Sequence, residues 1–181
     1  MRRRNEPPII PIFLVEIQGR SHRVCLYTSI PMEREIYVPA MSPGEVTPPS
    51  REIYGLMGEA NIIAMMLAFY KELARSEVAA LFPSDPVALE NAAHKSALFF
   101  ISLMGGPPRY QQKYGNPMMR ARHMPFVIDH AARATWLACF ERVLSTAEVV
   151  YQFPSRHLAG FRAFLNGFSM WMVNTNSKEQ E

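Results

Sequence analysis

Two hydrophobic rhythms divide this chain near Ser50. After it, apolar side chains return every three or four residues, the period of an amphipathic helix. Ile62, Ile63, Met66, Leu67, Tyr70 and Leu73 share one helical face, and Ser50 or a neighbour can cap that helix. Phe82-Pro-Ser-Asp-Pro86 breaks it. A second helix is predicted from about Pro86 to Met104, with proline in its first turn and Gly105-Gly106 just past its end. Asp129 can cap a third through Trp136, Phe140 and Val143. Ser155, after Pro154, opens a fourth whose stripe is Leu158, Phe161, Leu165, Phe168 and Met172. Between the second and third lies GGPPRYQQKYGNP, residues 105–117, which no regular helix or strand is expected to contain. A loop of that length in a compact domain usually serves a function or packs on a ligand. The body is therefore all-α, four substantial helices around one irregular segment.

Before Ser50 the rhythm is different. Eight of the fifteen prolines fall there (Pro7, Pro8, Pro11, Pro31, Pro39, Pro43, Pro48 and Pro49), which rules out long helices because proline lacks the N–H and clashes with the preceding turn. What remains is β-like: Ile12 to Ile17, a turn at Gln18-Gly-Arg-Ser21, then His22 to Thr28. Met41 to Pro49 reads as a linker. Two parts are expected, a Pro-rich arm at 1–49 and a helical domain at 50–181.

Composition narrows the classes. A chain of 181 residues is one domain's worth, and 49% apolar against 19% charged excludes a disordered polyelectrolyte. No apolar run reaches the ~18 residues of a membrane span. The net charge of +3 comes with no dense Lys/Arg stripe, so neither nucleic acid nor membrane is expected as a partner. Cys25 and Cys139 lie far apart and form no CxxC pair, which fails the spacing of a thiolate metal cage or redox dithiol. Met1-Arg-Arg-Arg4 and the apolar stretch behind it imitate a signal peptide, but Pro11 interrupts the stretch and Glu16 stops it. A cytoplasmic location is expected.

Candidate chemistry gathers after the irregular segment. His123 stands beside Met124, Pro125 and Phe126, with Arg120 and Arg122 close by. A histidine in such company is more often a buried residue hydrogen-bonded to backbone. The sharper alternative is a single axial ligand to haem iron, which needs one protein imidazole where zinc needs three or four ligands. Arginines nearby could then pair with the propionate carboxylates. On the second helix Ala92, Ser96, Phe99 and Leu103 fall in one stripe with Lys95 on its edge, and small residues early in it leave room for a flat ligand. Lys95 could reach a propionate. His94 lies roughly 160° from that stripe and is placed outside the pocket. Tyr70 and Trp136 each put one polar hydrogen on an apolar face; singly such residues are mostly core, but together they could bond an oxygen at iron.

The run GGPPRYQQKYGNPMMRARHMPF at 105–126, followed by ARATWLACF at 132–140 and preceded by AFYKELARSEVAALFP at 68–83, resembles group II truncated haemoglobins. The similarity runs from about Glu52 to Val173. It implies a two-over-two helical sandwich, B and E helices over G and H, with a haem b cofactor. Under it His123 takes the proximal iron-ligand position, Tyr70 the distal tyrosine, Trp136 the G-helix tryptophan, and Ala92 and Ser96 the distal E-helix positions. Phe82 takes the CD-corner aromatic, Lys95, Arg122 and Tyr110 the propionate contacts, and Phe99 and Phe126 further haem contacts. The connection after Phe82 is slightly longer than the family's, which would bring His94 nearer the iron if the register slips. Ser96 stands where a larger side chain often sits.

The resemblance implies binding of oxygen, and of other diatomics such as NO and CO, at pentacoordinate iron. Redox catalysis at the same haem, as a nitric oxide dioxygenase or peroxidase, is the alternative and would need an external reductase, since no flavin or dinucleotide motif is present. From another class, the arm could make the chain an interaction or sensor module. A second copy of the chain is also kept open as a partner.

Overall fold

The expected helices are present in a computed structural model of the chain, which describes residues 15–17, 20–22, 35–40 and 43–176. The chain divides into two compact units, 1–33 and 34–181. In the first, β1 (Val15–Ile17) pairs antiparallel with β2 (Arg20–His22) in the register Val15↔His22, Glu16↔Ser21, Ile17↔Arg20. Arg20 and Ser21, expected in the turn, are thus strand residues, leaving Gln18 and Gly19 between the strands. Ile12 to Leu14, Arg23 to Thr28 (with Cys25), the Met1–Arg4 run and the first two linker residues lie outside the described residues.

The second unit is all-helical: α1 (Ile53–Met57), α2 (Glu59–Leu73), α3 (Pro86–Leu103), α4 (Arg109–Tyr114), α5 (Met119–His123), α6 (His130–Leu144), α7 (Ala147–Val150) and α8 (Ser155–Met172). α2 packs on α3 and on α6, and α6 packs on α8. The α2/α3 pair therefore lies over the α6/α8 pair, the two-over-two sandwich anticipated above. Phe69 of α2 stacks on Phe140 of α6 at 3.9 Å, and Phe100 of α3 and Phe161 of α8 close on the same ring. Each of these buried phenylalanines removes enough apolar surface from water to contribute about 1.5–3 kcal/mol.

Local signals end the helices where expected. The Asp85 carboxylate accepts from Ala88 N at 2.7 Å ahead of Pro86, and Asp129 accepts from Ala132 N at 2.8 Å. Two differences stand out. The helix expected from Ser50 is interrupted by Gly58 at φ 78°, which separates α1 from α2. The stretch 105–117, expected to hold no helix, contains α4. Pro107-Pro108 presets the entry and no breaker follows until Gly115 at φ 73°, so one and a half turns form.

Gly105 is a structural requirement. It sits at φ 101°, and a Cβ there would lie 2.0 Å from the Arg51 carbonyl oxygen, a backbone atom that cannot step aside. Backbone strain and contact together should make Gly105→Ala less stable by about 3 kcal/mol, read as a lower urea midpoint with an unchanged slope.

Candidate functional site

Tyr70 emerges near the C-terminal end of α2 into a ring of aromatic side chains. Phe69, beside it and only 1% exposed, meets Tyr70 edge-on at 5.8 Å and Trp136 of α6 edge-on at 5.3 Å. Phe82, at the end of the short 3-10 turn Ala79–Leu81, meets Tyr70 edge-on at 5.7 Å. Burial pushes the Tyr70 phenol above its ordinary pKa, while a hydrogen bond from the Ser96 side chain of α3 acts the other way. The phenol therefore stays protonated and keeps a hydrogen to donate. Tyr70 thus meets Phe82 directly and reaches Trp136 through Phe69, a residue the sequence reading did not single out.

A second group lies along α3 and α4. Lys95 holds its ammonium 4.8 Å from the Tyr114 ring centre, and Tyr114 meets Tyr110 at 5.3 Å. Tyr110 is 2% exposed, meets Phe99 at 5.7 Å, and also raises the Tyr70 phenol, which links the two groups. Arg122 donates from Nε to the Pro117 carbonyl at 2.7 Å and from Nη2 to the Tyr114 carbonyl at 3.1 Å. Burial first, and the like charge of Arg122 second, push the Lys95 ammonium below its usual pKa. Two cations held side by side in a partly dry setting favour an anion between them.

His123 ends α5. Its Nδ1 lies 2.7 Å from the Met119 carbonyl oxygen. A carbonyl only accepts, so Nδ1 carries the hydrogen and Nε2 keeps a lone pair. Burial lowers the imidazole's pKa, with the Met119 bond opposing, which favours that neutral form. This is how metal-ligating histidines are commonly prepared, with one nitrogen hydrogen-bonded to backbone so that the other faces the metal. The backbone-bonded histidine and the iron ligand, set against each other as alternatives in the sequence, are compatible. Phe126 lies 6.4 Å away, ring centre to ring centre, and is 42% exposed.

Ala92 is half-buried one turn before Ser96. His94 points to solvent, with its side chain 46% exposed and Nε2 3.7 Å from Glu90, as the helical arithmetic required and against any slip of register. Phe99 faces elsewhere than the Tyr70 group: with Leu103, Met119, Phe164, Phe168 and Trp171 it lines a groove of about 360 Å³ between α3, α8 and the segment leading into α5. Among the described residues no three His, Cys, Asp or Glu side chains cluster as a metal site, and no helix is long and apolar enough to cross a membrane. Cys139 is buried as a free thiol 3.1 Å from Arg142.

Asn174 went unrecognised as a site residue, and Arg120, offered with Arg122 for the propionates, donates instead to the carbonyls of Trp171, Val173 and Tyr37. Asn174 is fully buried just beyond α8, and its Nδ2 donates to the carbonyls of His123 at 3.1 Å and Phe126 at 3.0 Å. The signal available was weak: a lone asparagine closing an apolar stripe.

The family model for bacterial-like globins matches residues 52–172. Group 2 truncated haemoglobin YjbI of Bacillus subtilis is 36% identical over 49% of this chain and 65% of its own length. Two-on-two hemoglobin-3 of Arabidopsis thaliana is 40% identical over 30% of this chain and 31% of its own. The matches thus span less than two thirds of either relative. In structure, phosphate-bound Hell's gate globin IV superposes with a TM-score of 0.69 at 33% identity, covering 75% of this chain and 82% of that one. The group II truncated haemoglobin of Bacillus anthracis gives 0.62 at 28% identity, covering 74% and 97%. With the helical sandwich in place and the family model spanning most of it, this chain belongs to the bacterial-like globin family, and within it is similar to the group II truncated haemoglobins.

Proposed function

We propose that the protein binds a haem through His123 and uses it to hold oxygen or another diatomic gas, with Tyr70 and Trp136 as the hydrogen-bond donors to that gas. The observation that carries this is the prepared imidazole: Nδ1 donates to the Met119 carbonyl, and burial keeps Nε2 a neutral donor for iron. The residues fit the cofactor in two further respects. Lys95 and Arg122 bring together two cations, a pair that the carboxylates of a porphyrin edge would neutralise, and Phe82 and Phe126 are aromatic rings suited to a flat apolar ring. Bound there, haem supplies the iron at which a small gas is held.

The chain's own contribution is to donate hydrogen bonds and to hold the proton in place. The Tyr70 hydroxyl is kept protonated by burial. Trp136 presents an indole N–H, a group that can only donate, and Phe69 and Phe140 pack against its ring at 5.3 and 5.1 Å so that its direction is fixed. Ala92 brings no imidazole to this side, which leaves the phenol and the indole as the donors. The relative from Bacillus subtilis whose structure covers 67% of this chain at 31% identity is described as oxygen-avid, which agrees with two donors facing one ligand.

An absorption spectrum of the purified protein, reduced and then exposed to carbon monoxide, tests the reading. A haem band that shifts with carbon monoxide is expected. Colourless protein that ignores added hemin would end it. At the porphyrin edge, Lys95→Met should release hemin to an acceptor globin a few-fold faster, the size of effect expected for a partly exposed ion pair.

A further inference from the structure

α5 is poorly equipped to hold His123 on its own. A five-residue helix cannot sustain itself, none of its residues is buried, and it opens on Met118 in the left-handed region at φ 41°. Its apolar hold is Met119 at its start, partly buried against the core. The rest of its hold is a closed ring of polar contacts. At its C-terminal end, fully buried Asn174 donates to the His123 and Phe126 carbonyls, and its Oδ1 accepts from Ile128 N at 3.1 Å. At its N-terminal end the Arg120 guanidinium donates to the Val173 carbonyl at 3.0 Å, to the Trp171 carbonyl, and to the Tyr37 carbonyl at 2.7 Å. Tyr37 closes the ring: its N–H donates to the Asn174 carbonyl at 3.1 Å, and its side chain meets His130 edge-on at 5.7 Å.

We propose that Asn174 and Arg120 are positioning residues for the His123 imidazole, and that the 35–40 segment, through Tyr37, is the third member of the same clamp. The proposal rests on the reading of His123 as the iron ligand. Its physical content is that the atoms which set the ring's direction, the Met119 carbonyl and the His123 backbone, move only if α5 turns. Turning α5 requires breaking charge-assisted or buried hydrogen bonds at both of its ends. Residues ahead of the helical body thereby bear on the iron–imidazole bond without touching it, as second-layer partners do in other metal sites.

The test uses the full chain loaded with haem and reduced, reading the iron–histidine stretching band by resonance Raman and the rate of hemin transfer to an acceptor globin. Arg120→Lys and Asn174→Ala should each shift the band and speed hemin loss about tenfold, the effect of one net hydrogen bond. Arg133→Lys is the control for mere loosening. It weakens the ties from α6 to Ser169 and Asn166 of α8 without touching α5, so it should lower the melting temperature and leave the band in place. Should the first two variants fail to fold, Tyr37→Pro decides, because it removes the N–H donated to Asn174 from outside the helices. An unmoved band in the folded variants, whatever their melting temperatures, overturns the clamp. A wild-type protein with no iron–histidine band overturns instead the reading of His123.

Discussion

His123→Gly should lose its haem and recover it when imidazole is supplied in solution. The side chain offers one prepared nitrogen, and among the described residues no group of three or more His, Cys, Asp or Glu side chains forms another metal site. Loss of second-layer partners alone typically costs metal sites ten- to a hundredfold in affinity, so loss of the ligand should cost about a hundredfold or more. The variant should fold, because His123 is only half-buried and its ring holds one hydrogen bond, to Met119. Free imidazole entering the vacated space then restores the haem spectrum of the unsubstituted chain, and failure of both loss and rescue would remove His123 from the site. Acid gives a second handle. Burial depresses the His123 pKa, so the folded protein takes up this proton less readily than the unfolded chain. Its contribution to apoprotein stability is therefore complete above the ordinary histidine value and is lost as pH falls through that value toward the lower folded one. Denaturant midpoints should fall across that window in the wild type and fall less in His123→Gly.

How much of this was legible in the sequence depends on how local each cause is. Asp85 with Pro86, Asp129, and Gly105-Gly106 act within a turn of themselves, and the helices they bound are where their residues place them. The position of His94 followed from helical arithmetic for the same reason, since 100° per residue needs no partner. Tyr70, Trp136 and Phe82 were legible only as a register, and it is Phe69 that makes them a group. A phenylalanine beside a tyrosine carries no mark in the sequence that it will lie between two helices. α4 was hidden because its flanking Pro107-Pro108 and Gly115 read as breakers, although six residues between breakers suffice for a short helix. Asn174 and Tyr37 were the least legible. Their partners lie about fifty and over a hundred residues away, so their hydrogen bonds exist only once α8 has delivered its end to α5. Polar ties across that separation carry no spacing rule, and only the fold reveals them.

Removing both distal donors should release oxygen faster by more than either alone, and by less than about four decades. A hydrogen bond to a partner that takes up negative charge contributes about 1.5–3 kcal/mol, and each 1.4 kcal/mol is tenfold. Tyr70→Phe and Trp136→Phe should therefore each speed oxygen release in stopped flow by about one to two decades. The double variant should fall short of the product. Phe69 touches both rings, so each substitution disturbs the setting of the other. Packing complicates the tryptophan arm, because a phenyl ring leaves part of the indole's contact with Phe140 unfilled. Carbon monoxide separates the two causes. It takes up little charge when bound, so lost hydrogen bonds barely affect its release, whereas a loosened pocket affects both gases alike. Oxygen rates that rise steeply over flat carbon monoxide rates would assign the effect to the donors. Parallel changes would assign it to shape, and unchanged rates for both would take Tyr70 and Trp136 out of ligand binding.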